Sequence, residues 1–255
     1  MRNCPVAALA SLLLLTGLAA SSQTPDTDKV RLLQNQLAQQ KHLMRDWGGL
    51  LHYGSDNTEL PPPAAGESRV IFLGDEITED WGQGMSAPFF PGRPYLNRGV
   101  KGQTSSQMLL RFRQDVVELQ PKVVVILAGM NDIAGINGPA TEEMVAENLA
   151  SMSELARVHG IRVVLASVLP VCDCFERSVA RQRRQGRIVE LNEAIEELAG
   201  KNEFFYLDYY SAMVDSGGLA MKKELTIDGI LPDEAGYRVM ALLAEQAIAR
   251  ALGKK

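Results

Sequence analysis

Four short polar segments carry the side chains with which this 255-residue chain could do chemistry. They are Gly74-Asp75-Glu76-Ile77-Thr78, the stretch Asn97 to Ser105 around Lys101-Gly102-Gln103, Ala128-Gly129-Met130-Asn131-Asp132, and Asp228-Gly229-Ile230-Leu231-Pro232. Carboxylates accept and return protons, whereas amides and backbone N–H groups hold oxygen atoms. Each segment alone has a plain reading, since Gly-Asp after a strand is a common turn and Asn-Asp caps helices. Four in this order are far more specific than one. The three histidines are His42, His52 and His159, and for each an ordinary surface or packing role is the favoured reading. Cys172 and Cys174 stand one residue apart in Val-Cys-Asp-Cys-Phe and close only a tight ring, so two thiols in a loop are expected. No neighbouring histidine or second cysteine pair makes them a metal site. Neither G-x-G-x-x-G nor a Walker pattern follows a strand, so no metal and no cofactor is expected.

The elements that must position these segments alternate along the chain. Val70 to Leu73, Val123 to Leu127, Ile161 to Val168 and Phe204 to Leu207 are apolar runs of strand length. A further short extended segment lies near Asn97. Helical spacing marks Thr104–Leu119, Thr141–Val158, Gly186–Leu198 and Glu234–Leu252. Continuous apolar strands alternating with helices imply a parallel sheet covered on both faces, an α/β three-layer sandwich of about five strands. In such sheets ligands bind beyond the carboxyl ends of the strands, where the first and third polar segments fall.

The N-terminus predicts a signal peptide over residues 1–22, with Arg2 ahead of the apolar stretch Val6–Ala20 and small residues after it. That stretch is short for a membrane span, and nothing later is long and apolar enough. Export to a periplasmic or extracellular location follows as the expectation. Residues 23–66 read as a helical extension and linker ending in Pro61-Pro62-Pro63, and 67–255 as the main domain. The net charge of −5 and the lack of a basic run beyond Arg181, Arg183 and Arg184 argue against a nucleic-acid partner.

Taken together, the four segments resemble the conserved blocks of the SGNH (GDSL-type) hydrolases, the branch similar to platelet-activating-factor acetylhydrolases in particular, over about Arg69 to Leu252. The resemblance implies a flavodoxin-like fold. It also implies oxyanion donors at Gly102 and Asn131, an orienting acid at Asp228, and Asp75 in the place before the nucleophile. Two positions depart from the pattern. Glu76 stands where the family has its nucleophilic serine, and Leu231 where it has the basic histidine. A carboxylate has no proton to surrender at neutral pH, and leucine transfers none, so a Ser-His-Asp mechanism is not expected.

The favoured reading is therefore a ligand-binding pseudo-esterase whose partner is a small molecule or an oligosaccharide. Glu76 in it either repels anionic ligands or occupies the oxyanion donors itself. A second reading is a carboxylate hydrolase in which Glu76 and Asp228 flank a water, as acid and base do roughly 6.5–9.5 Å apart in inverting glycosidases. A third is weak ester hydrolysis by a water that Glu76 activates. Against an active role stand two plain alternatives: Asp228 caps its own loop, and Glu76 pairs with Lys101 or Arg98. Trp81, Arg93 and Phe175 are the candidate pocket rim, although packing of the loop Trp81–Pro94 against the domain accounts for its aromatic residues slightly better.

Overall fold

The computed structural model describes residues 27–84, 86–175 and 185–253. The expected signal segment and the arginines Arg181, Arg183 and Arg184 lie outside the described residues. The chain divides into two compact units between Arg45 and Asp46. The first contains helix α1 (Thr27–Arg45), which leaves Val30, Leu32, Leu33 and Leu37 exposed. The second unit holds everything described below.

In that unit five parallel strands run in the order β2-β1-β3-β4-β5: β1 (Val70–Gly74), β2 (Tyr95–Gly99), β3 (Val123–Ile126), β4 (Arg162–Ala166) and β5 (Phe205–Leu207). Strand periodicity sorts the apolar side chains into two cores. Ile71, Leu73, Val124 and Ile126 face one side of the sheet, where α4 (Ser105–Asp115), α6 (Glu142–Val158) and α7 (Gln185–Lys201) supply Met108, Phe112, Leu149, Met152, Leu191 and Ile195. Val70, Phe72, Val123 and Val125 face the other, where α3 (Glu76–Glu79) and α9 (Glu234–Ala251) supply Ile77, Tyr237, Met240 and Ala244. The expected α/β three-layer sandwich is what forms. Shorter helices are α2 (Gly54–Glu59), α5 (Met130–Ile133) and α8 (Tyr210–Met213).

Several bounds are tighter than the apolar pattern suggests. The helix expected over Thr104–Leu119 stops at Asp115, and Val117–Leu119 continues as one 3₁₀ turn. Its start is a capping box in which the Gln107 side chain reaches back to Thr104 N–H, two orphan helix-end groups satisfied at once. The run expected as a strand over Ile161–Val168 hydrogen-bonds as β4 only to Ala166; beyond it Asn192 of α7 both donates to and accepts from the Val168 backbone and holds the chain out of the sheet. Among the described residues no helix is long and apolar enough to cross a membrane.

Candidate functional site

At the carboxyl end of β1, the Asp75 side chain accepts a hydrogen bond from Ile77 N–H at 3.0 Å and caps α3. This turn makes Glu76 the first residue of the helix and aims it across the strand ends. Glu76 is only 8 % exposed. Its Oε2 accepts from Gly102 N–H at 2.9 Å and from Asn131 Nδ2 at 2.8 Å. Both donors expected to hold a developing oxyanion thus hold a carboxylate of the chain itself. Of the two behaviours open to Glu76, occupation of the cradle is the one the geometry displays.

The cradle is built with little slack. Gly102 sits at φ +75°, a left-handed conformation that glycine adopts without penalty. Asn131, the second residue of the short α5, gives Nδ2 to Gln103 C=O as well, at 3.1 Å. Gln103 is in turn fixed by both ends of its amide: Oε1 accepts from Arg111 Nε at 2.5 Å, and Nε2 donates to Gly48 C=O at 3.0 Å. Arg111 is fully buried, pairs with Asp115 at 3.0 Å, and donates to Gly74 C=O at 3.1 Å. Burial lowers its pKa, and the Asp115 carboxylate opposes that shift. One guanidinium therefore ties the tip of β1 to the Gly102–Gln103 turn. One turn along α3, Glu79 accepts from Lys101 N–H at 2.7 Å and lies 3.3 Å from His52 Nε2. The consecutive amides of Lys101 and Gly102 are each taken by a glutamate.

Several expected roles fall elsewhere. Arg98 forks onto Asn57 Oδ1 at 3.0 and 2.8 Å and lies 4.6 Å over the Tyr53 ring, and Lys101 meets Glu79 through its backbone N–H. Asp228 Oδ1 accepts from Ile230 N–H and Leu231 N–H, both at 2.9 Å, which is the loop-capping alternative. Leu231 packs at the edge of the α9-side core and lines a cleft of about 330 Å³ with Asp80, Ser86, Ile227 and Tyr237. The rim expectation fails for Trp81: it is 3 % exposed and packs among Phe72, Phe89, Phe90 and Tyr237, because β1 presents Phe72 as an anchor for these rings. Arg93 pairs with Glu245 of α9 at 3.0 Å. Phe175 is half-buried with Lys223 Nζ 5.7 Å from its ring centre. The expectation of two free thiols is also corrected: Cys172 and Cys174 form a disulfide, their Cα atoms 5.2 Å apart and so within bonding range.

Asp132, beside Asn131, is a helix anchor. Its carboxylate accepts from Ser105 N–H at 2.9 Å and Ser105 Oγ at 2.6 Å, and Asn148 Nδ2 closes the group at 2.9 Å from that hydroxyl. Burial raises the Asp132 pKa, against the pull of the Ser105 bonds. Ser105 is itself fully buried. Among the described residues the recorded hydrogen bonds and ion pairs place no histidine against a serine near this cradle.

Sequence reasoning missed Gln103, Arg111, Glu79 and the segment Trp47–Leu51. A signal for Arg111 existed: it and Asp115 are charges four apart on the stripe of Met108, Phe112 and Val116, a place where only a paired charge survives burial.

The pattern of the GDSL-like lipase/acylhydrolase family matches residues 72–239. The structure is similar to that of a protein assigned as an acylhydrolase from Bacteroides fragilis, with 40 % identity, TM-score 0.75, and coverage of 81 % of this chain and 99 % of that one. A GDSL-like lipase from Bacteroides thetaiotaomicron is similar at 40 % identity and TM-score 0.73, over 80 % and 98 % of the two chains. Among curated proteins, esterase TesA of Pseudomonas aeruginosa is 37 % identical over 73 residues, 29 % of this chain. An uncharacterized lipoprotein, YqeF of Bacillus subtilis, is 35 % identical over 81 residues, 31 % of this chain. These two matches span 35 % of TesA and 33 % of YqeF, about a third of each relative's length.

Proposed function

The chain belongs to the GDSL-like lipase/acylhydrolase family, and within it we propose that this member is a ligand-binding pseudo-esterase. The observation that carries the reading is the placement of Glu76 Oε2 on Gly102 N–H and Asn131 Nδ2. Those donors accelerate acyl transfer only if they are available to an oxygen whose charge grows in the transition state. A carboxylate already seated there satisfies them in the ground state. The missing hydroxyl at 76 and missing imidazole at 231 remove the nucleophile and its base together. Ligands that suit a site with a resident carboxylate and amides are neutral and rich in hydroxyl groups, such as carbohydrates or acylated carbohydrates. Export through residues 1–22 belongs to the same proposal and places the protein where such ligands are met.

The Asp228 bonds to its own loop weigh against the carboxylate-hydrolase alternative, since Oδ1 is engaged by Ile230 N–H and Leu231 N–H of that loop. The test is a screen of purified protein against oligosaccharides and short acyl esters, following turnover and thermal shift together. The proposal expects shifts with oligosaccharides, no ester hydrolysis above background, and only a modest change of affinity in Glu76→Gln. Turnover of a glycoside or an ester by the wild-type protein that disappears in Glu76→Gln would sink it.

A further inference from the structure

The Cys172–Cys174 disulfide has features of a reactive group rather than of a staple. Its cysteines are two positions apart, so the bond closes a very short loop and removes little chain entropy from the unfolded state. The backbone around it is fastened by other means. Cys172 N–H donates to Gly229 C=O at 3.0 Å, and Val171 C=O accepts from Met221 N–H at 3.3 Å and from Gln185 Nε2 at 2.9 Å. Opening the S–S bond leaves all three intact.

The two sulfurs differ in surroundings. Cys172 is 2 % exposed, whereas Cys174 is half-buried. Cys174 Sγ lies 3.8 Å from Met221 C=O, a distance at which a thiol donates a weak hydrogen bond. A disulfide sulfur has no hydrogen to give, so this contact becomes a hydrogen bond in the reduced state. Both redox states therefore fit the same backbone.

We propose that Cys172–Cys174 is a thiol–disulfide exchange site whose substrates are small thiols. Exchange starts when the thiolate of an external thiol attacks Cys174 Sγ. The S–S bond breaks, its electron pair leaves on Cys172 Sγ, and that sulfur takes a proton from solvent. A second external thiolate attacks the mixed disulfide, releases Cys174 as a thiolate that is then protonated, and departs as the external disulfide. Two thiols supply the two electrons.

Gly229 lies at φ +94°, and a Cβ there would come 2.3 Å from Cys172 C=O, so the loop bearing Asp228 and Leu231 is seated directly on the exchanging segment. That seat is made by backbone contacts that do not involve sulfur, so it persists in both redox states.

The test uses the full chain under native conditions with dithiothreitol or glutathione as probe, alkylation, and peptide mass analysis that separates Cys4 from the pair. Both thiols are expected to appear together while the circular dichroism stays native. Amide exchange of Cys172 should change by less than about twofold on reduction, because its N–H bond to Gly229 C=O does not depend on the disulfide. In Cys172→Ser, oxidised glutathione should add to Cys174 at least tenfold faster than it adds to Cys172 in Cys174→Ser. Resistance of the pair to native reduction, reduction only with loss of fold, or equal labelling of the two sulfurs in these variants overturns the assignment. A tenfold rise of Cys172 amide exchange on reduction would show that the disulfide holds this backbone, and also overturns the assignment.

Discussion

Glu76→Gln is the substitution whose cost follows most directly from the site. The glutamate Oε2 accepts two hydrogen bonds, at 2.9 Å from Gly102 N–H and 2.8 Å from Asn131 Nδ2. Bonds to a charged acceptor contribute roughly 1.5–3 kcal/mol each, and neutral ones roughly 0.5–1.5. A glutamine oxygen can keep both contacts as neutral bonds, so the change removes about 1 kcal/mol per bond. The carboxylate is nearly excluded from solvent, and removing its charge returns part of a desolvation cost. The net loss is then about 1–2 kcal/mol, which for a folded unit of this size lowers the melting temperature by roughly 3–6 °C. Differential scanning calorimetry at pH 7, paired with urea unfolding, measures it. Glu76→Ala forfeits both bonds and should lose more. If Glu76→Gln melts at or above the wild-type temperature, the cradle is not held by a charged acceptor, and the account of the site is wrong.

Other outcomes follow from neighbouring contacts. Asp228→Ala removes the acceptor of two backbone N–H groups and should cost roughly 1–3 kcal/mol in urea unfolding, while Asp228→Asn, able to make the same turn, should cost less. Arg111→Met leaves Asp115 buried without its cation and should destabilise by about 3–5 kcal/mol; Arg111→Met with Asp115→Leu should recover much of that loss. Tyr53, whose hydroxyl donates to Gly99 C=O at 2.5 Å, has its pKa pushed up to about 12, first by burial and then by Glu79. The folded state keeps this proton while the unfolded chain releases it near pH 10, so the contribution is complete below pH 10 and is lost as the pH rises through about 12. Alkaline denaturation should be shallower across that window in Tyr53→Phe.

Much of the fold was legible because its strands are short apolar runs. Val70–Leu73 and Val123–Leu127 contain no polar residue, as strands covered on both faces require. The site was legible in part for a related reason: strand ends in a parallel sheet converge, so segments distant in sequence meet there. Gly102, Asn131 and Glu76 were named through the resemblance to the hydrolase family's blocks, and they do meet. Which of the two behaviours Glu76 adopts depended on a helix-start geometry set by Asp75, which residue types alone do not reveal. Trp81 stands between rim and core in the sequence, with packing slightly favoured, because aromatic residues in a loop suit a sugar platform and a core almost equally well. The choice is made by Phe72, one strand away in space. Glu79 acts on a backbone N–H, which carries no sequence signal, whereas Arg111 betrayed only its burial beside Asp115 and not the Gly74 carbonyl it holds. The disulfide was unreadable from spacing, since Cys-Asp-Cys fits a bonded and an open pair alike.

The Gly102 amide resonance, followed by ¹H–¹⁵N correlation NMR through an acid titration of wild type and Glu76→Gln, tests the central claim most directly. A carboxylate seated on that N–H moves the resonance markedly as it protonates, and the step should vanish in Glu76→Gln. A Gly102 signal that titrates identically in both proteins, or in neither, would contradict the account.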